Sequence, residues 1–167
     1  ERFYKTVIYM CAHSKEGSMG IIINKKIDHD LYPDLLKQLG IDQPLKNKKF
    51  FIRYGGPIES RRGFILHSDD LIRKETLSID KGVALTNTAE FFDDLAKNSG
   101  PKYSILALGY TGWGPGQLEY EIKKNSWVNL PIESSFLFDE KVTTKWADAY
   151  KLMGINSSNL SLFSGNA

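Results

Sequence analysis

Glycines 109, 112, 114 and 116, together with Trp113 and Pro115, lie between an apolar run and a helix-forming segment. Backbone N–H groups left exposed in such a loop could cradle a phosphate or carboxylate at the start of the following helix. The spacing matches neither the dinucleotide fingerprint nor a P-loop, which needs a Lys-Ser/Thr pair after its last glycine. Glu119 and Glu121 fall in the first turns of the expected helix, where they complement its positive end and oppose a bound anion. The structural reading, a tight crossover that lets Trp113 fold over the sheet, therefore outweighs the ligand reading. The two glutamates do not form an acid–base pair, because helical residues two apart point roughly 200° from each other. Glu119 is placed instead to pair with Lys123, while Leu118 and Ile122 form a buried seam.

His67 ends a buried-looking strand, with Arg61 and Arg62 close by in sequence. That combination could serve a phosphorylated substrate as general acid. No serine or cysteine motif marks a nucleophile for it, although Ser60 and Ser68 are near, and a histidine hydrogen-bonded to backbone is the commoner outcome. Cys11 and His13 alternate on one strand, but a metal site needs partners elsewhere, and besides His67 the only other histidine is His29. No metal and no cofactor are expected, and a single cysteine excludes zinc-finger spacing. Arg53 and Arg62 flank a Tyr-Gly-Gly-Pro turn and are expected across adjacent strands. With Arg61, Arg73 and Lys74 they could make a basic patch for nucleic-acid phosphates. Asp69, Asp70 and Glu75 are interleaved and cancel much of that field, so a solvated face is the stronger reading.

The elements that must carry these residues follow from periodicity. Thr6 to Ala12 and Met19 to Asn24 read as a hairpin around Ser14–Ser18, and their near-continuous apolar character implies burial on both faces. Asp30 to Leu39 is helical, with Pro33 in its first turn and Gly40 as its stop. Lys46 to Lys49 is a basic connector. Phe50–Tyr54 and Gly63–His67 are strands about the Gly55-Gly56-Pro57 turn, and Leu77–Ile79 and Val83–Leu85 are shorter ones. Asn87 with Glu90 forms a capping-box pattern before a helix whose stripe is Phe91, Phe92 and Leu95. Tyr103 to Leu108 is the central strand, the glycine loop and a helix near Gln117–Lys124 follow, and an extended stretch runs from Trp127 to Ile132. Asp139 is expected to cap the last helix, which Gly154 terminates. The tail from Ile155 to Ala167 is polar and loosely held.

At 167 residues the chain fits one domain, and strands and helices are interspersed without strict alternation, which argues for α+β. Hydrophobic content of 41% and charged content of 25% are those of a globular protein, and a net charge of +2 is too small to imply nucleic-acid binding. No apolar run approaches the roughly 20 residues that a membrane helix requires. One cysteine rules out an internal disulfide and suggests a reducing compartment. Position 1 is Glu and the chain opens almost inside a strand, so its natural start is expected upstream.

These pieces together resemble the AlgH/YqgE family of bacterial proteins. The resemblance rests on GSMGIIIN at Gly17–Asn24, YGGP at Tyr54–Pro57, RGFILH at Arg62–His67, LGYTGWGPGQLEYEIKKNSW at Leu108–Trp127, LFD at Leu137–Asp139 and KW at Lys145–Trp146. It spans essentially the whole chain, in order. It implies a curved mixed sheet closing into a pseudo-barrel with helices around it, a cytoplasmic bacterial protein, and one further N-terminal segment before Arg2. It supplies no activity. The surface expected to meet a ligand or partner is Asn24, Gly55, Gly56, Arg62, His67, Gly112, Trp113, Gly114, Gly116, Gln117 and Glu119. The leading expectation is a non-catalytic binding or regulatory module with a protein or small-molecule partner and no membrane role. The alternatives are an enzyme or binder for a small anionic ligand at Gly109–Gln117 with Arg62 and His67, and a nucleic-acid-associated transcriptional regulator.

Overall fold

Alternating side chains along the middle of the chain sort onto the two faces of one sheet. In a computed structural model describing residues 3–41, 52–97 and 99–155, Ile105 and Ala107 join one buried cluster with Phe64, Leu66 and Ile21. Their neighbours Leu106 and Leu108 join the other, with Ile52, Ile65 and Phe91. This period of two is what a strand buried on both sides requires.

The elements are β1 (Ile8–Ser14), β2 (Gly17–Ile22), α1 (Tyr32–Gln38), β3 (Ile52–Tyr54), β4 (Ile58–His67), β5 (Leu77–Asp80) and β6 (Val83–Thr86). They continue with α2 (Ala89–Ala96), β7 (Ser104–Trp113), α3 (Gln117–Lys123), α4 (Ser134–Phe138) and α5 (Lys145–Leu152). The sheet order is β1-β2-β7-β4-β6-β5, antiparallel except where β3 joins β7 in parallel. The result is a mixed α+β fold with a curved, nearly closed barrel-like sheet. Helices α1 and α2 cover one face through Tyr32, Phe91, Phe92 and Leu95, and α4 covers the other through Leu137.

β7 organises the whole. Ile52 and Ile65 both lie opposite Leu106, which puts β3 and β4 on its two edges. Beyond Gly109, Gly20 pairs with Thr111 and Ser18 with Trp113, so β2 takes over from β3 along the same edge. The handover is a backbone crossing. Gly109 adopts φ 71°, and a Cβ there would fall 2.4 Å from the Gly56 carbonyl oxygen. A Cβ on Gly56, at φ 153°, would fall 2.2 Å from the Tyr110 backbone. The strand thus runs to Trp113, five residues past the end expected from sequence, because glycine lets it kink without leaving the ladder.

Four further expectations are corrected. Helix α2 starts one residue later than the capping box implies: Thr88, extended at φ −96° and ψ 150°, takes the cap position without a side-chain hydrogen bond. Asp139 ends α4 and accepts the Lys141 N–H at 2.9 Å, while Thr144 precedes α5. Ile122 is 37% exposed, so Leu118 alone anchors α3. Arg53 and Arg62 are not on paired strands, since β7 runs between β3 and β4. The basic connector at Lys46–Lys49, the start of the Phe50–Tyr54 strand and the tail after Ile155 lie outside the described residues.

Gly109→Ala combines a left-handed backbone with a carbonyl clash and is expected to lower unfolding free energy by about 3 kcal/mol. Gly40→Ala, at φ 75° with nothing within 4 Å of its new Cβ, should cost about 1 kcal/mol. Urea unfolding of both variants checks the contrast, and equal losses would remove the role given to the crossing.

Candidate functional site

The glycine segment is bound up in its own structure. Gly116, at φ 73°, precedes α3, and the Gly114 N–H donates to Gln117 Oε1 at 3.0 Å. Trp113 is 8% exposed, and its Nε1–H donates to Glu121 Oε2 at 3.0 Å. Trp127 donates to the same oxygen at 2.7 Å, and the Gln117 amide donates to Glu121 Oε1 at 2.9 Å. The two indoles meet edge to face at 5.9 Å. These donors, that of Trp127 foremost, hold the Glu121 carboxyl below its ordinary value against the opposing effect of desolvation. Sequence reasoning placed Glu121 on the helix and missed its partners, because a carboxylate that collects two distant indoles leaves no local spacing signal.

Glu119 turns the other way, as expected for residues two apart, but its partner is His13 and not Lys123: Nε2 to Oε1 is 3.3 Å. His13 Nδ1 meets Ser18 Oγ at 2.7 Å across the β1–β2 hairpin. A serine, a histidine and a glutamate therefore stand in relay order, an arrangement that sequence spacing did not reveal. Ser18 is only 9% exposed, and the Gly114 N–H of the glycine segment already has its acceptor in Gln117. Cys11 does not join His13: it is buried, and burial pushes its thiol up to about 12.

His67 lies at the far end of β4 from the glycine segment, opposite Ser104, and is fully buried. Nδ1 donates to the Ser68 carbonyl and Nε2 faces Thr86 Oγ1, both at 2.9 Å, with Phe91 against the ring. Burial lowers its pKa, chiefly through desolvation. The structure thus separates His67 from Arg62 and from solvent, and a general-acid role has no geometry behind it. Asn24 is a clasp: Oδ1 accepts the Val7 N–H and Nδ2 donates to the Lys5 carbonyl, each at 2.8 Å. Gly55 and Gly56 serve the crossing with β7.

The basic patch is dispersed. Arg53 is 5% exposed and donates inward to the Ile23 carbonyl, Arg73 pairs with Asp94 at 2.9 Å, and Arg62 pairs with Glu59 at 2.8 Å. Arg62 nonetheless reaches a concave feature. β4 bulges between Ile58 and Gly63, lifting Glu59–Arg62 out of the ladder, and Glu59 holds a left-handed φ of 47°. An open groove of about 720 Å³ lies beneath, lined by Gln38, Glu59, Arg61, Arg62, Asn87 and Phe92 among others. Gln38 secures the bulge by donating to the Arg61 carbonyl at 2.7 Å. Among the described residues no three His, Cys, Asp or Glu side chains are placed to hold a metal ion, and no helix is long and apolar enough to cross a membrane.

Comparison with known proteins agrees with this architecture. The family model described as AlgH-like matches residues 1–158. The chain is 45% identical to a UPF0301 protein of Beijerinckia indica, over 99% of this chain and 85% of that one. It is 44% identical to another from Bradyrhizobium diazoefficiens, over 99% and 81%. Its fold matches the solution structure of the AlgH protein from Pseudomonas aeruginosa with a TM-score of 0.79 at 34% identity, covering 97% of this chain and 86% of that one. A crystal structure of a Corynebacterium diphtheriae protein shares the fold at TM-score 0.67 and 17% identity, covering 88% and 76%.

Replacing Glu121 by Ala leaves a buried indole N–H without its acceptor and is expected to destabilise the fold by about 1–2 kcal/mol. Because the folded carboxyl titrates below its ordinary value of 4.5, its contribution is complete above that pH and is lost as the pH falls. Tryptophan fluorescence followed during urea unfolding at pH 7 and pH 4 should show the wild-type advantage over Glu121→Ala shrinking on acidification.

Proposed function

This chain belongs to the AlgH-like family, and from that premise we propose that it is a non-catalytic binding module whose recognition surface is the groove under the β4 bulge. Its ligand is an anionic group carried by a protein or small-molecule partner. The observation that carries this reading is the groove itself. Its volume is in the range of ligand sites, and Arg61 supplies planar donors suited to carboxylate or phosphate, with Arg62 beside it held by Glu59 at 2.8 Å. Its rim includes a non-glycine residue in left-handed backbone, the kind of strain that collects at functional positions.

The enzyme alternative at Gly109–Gln117 has less support. Arg62, His67 and the glycine segment serve three different places, and the Ser18–His13–Glu119 relay ends in a nearly buried hydroxyl. A nucleic-acid role is weakened by Arg53 pointing inward and by the acidic partners of Arg62 and Arg73. A cytoplasmic setting fits a lone, buried, unreactive thiol.

The test is amide chemical-shift mapping of the wild-type protein with citrate and with a glutamate-rich peptide. Shifts are expected at Gln38, Arg61, Arg62, Asn87 and Ala89, and Arg61→Glu combined with Arg62→Glu should weaken binding by about tenfold or more. Perturbation confined to His13, Ser18 and Glu119, or no perturbation by either probe, would overturn the assignment.

A further inference from the structure

Two cations are sunk on the same side of the sheet. Arg53 projects from β3 at 5% exposure, and Lys145, the first residue of α5, is 2% exposed. Burial penalises both charges, and Lys145 also feels the Arg53 charge as unfavourable. Burial foremost lowers the Lys145 ammonium to about 8, with the neighbouring Arg53 adding to the shift, and burial lowers Arg53 to about 10. Neither has a carboxylate within ion-pair distance among the described residues. Asp139 and Asp148 act on Lys145, and Glu140 on Arg53, only as more distant charges. Asp148 pairs with Lys151 at 3.2 Å, and Asp139 accepts a backbone N–H.

What the two cations do have is partial. Lys145 Nζ donates to the Phe136 carbonyl at 2.5 Å and lies 4.7 Å from that residue's ring centre. Arg53 Nη1 donates to the Ile23 carbonyl, but Arg53 Nε is buried with no hydrogen-bond partner among the described residues. A buried guanidinium with an unspent N–H, beside a buried ammonium, is an arrangement proteins avoid unless an anion completes it.

We propose that Arg53 and Lys145 form an oxyanion-binding site, distinct from the groove, that takes a phosphate or the phosphoryl group of a small metabolite. Charge balance selects the ligand class. Two cations are neutralised by one dianion, and a phosphomonoester near neutral pH carries about −1.5 to −2 with several acceptor oxygens. Arg53 supplies directional donors, and Lys145 a point charge.

The experiment uses the whole chain at pH 7, with inorganic phosphate titrated against chloride at matched ionic strength. A saturable rise in melting temperature of about 5 °C is expected. Lys145→Met removes one buried cation, so without phosphate it should melt higher than wild type and should lose the phosphate response. Absence of a phosphate-specific rise in wild type overturns the proposal, as does a rise that persists undiminished in Lys145→Met. If that variant does not fold, the Arg53 Nε–H resonance of the wild-type protein decides: movement on phosphate addition supports the site, and none sinks it. The Arg61→Glu, Arg62→Glu double variant should keep the full response, and its loss there would assign the anion to the groove instead. Glycerol phosphate as a second probe separates the sources, a stronger response than to the free ion marking a phosphorylated metabolite.

Discussion

The structure depends on a contact between main chains. Where Gly109 of β7 passes Gly55 and Gly56, carbonyl oxygens stand where side-chain carbons would be on any other residue. That proximity lets one strand carry β3 and then β2 on a single edge while keeping β4 on the other. Without it the sheet would need either a break or two separate layers. The two apolar clusters, the covering helices and the β4 bulge all take their positions from this arrangement.

Much of the architecture was readable from residue order. The strand pattern, the α2 stripe of Phe91, Phe92 and Leu95, and the stop at Gly154 follow from periodicity and from glycine's backbone freedom. What escaped is long-range. The extension of β7 through Gly112 to Trp113 looked like a loop because glycine lowers strand propensity, and only pairing with β2 holds it extended. Arg53 looked like surface charge because an alternating pattern does not say which polar residue turns inward. The capping box at Asn87 failed by one residue, within the margin at which local signals yield to packing.

The functional surface was less legible than the fold, for a physical reason. Of the residues marked from sequence, Asn24, Gly55, Gly56, His67 and Trp113 are consumed by structural tasks: a clasp, a crossing, a buried hydrogen-bond chain and an indole anchor. Only Arg62 lines the groove, and only Glu119 belongs to the His13 relay. Residues distinctive enough to identify a family are here largely those that geometry leaves no freedom to vary. The sites argued above use Gln38, Arg61, Asn87, Arg53 and Lys145, whose meaning appears only once distant segments are brought together.

The register of β7 also bears on how the polypeptide matures on the ribosome. Ser18, Ile52 and Phe64 all wait for partners between Leu106 and Trp113. Most of the chain must emerge from the exit tunnel before any of these ladders can close. Until then the isoleucines of β2 and the first half of the barrel are nascent apolar surface, and a holding chaperone has its longest opportunity in that interval.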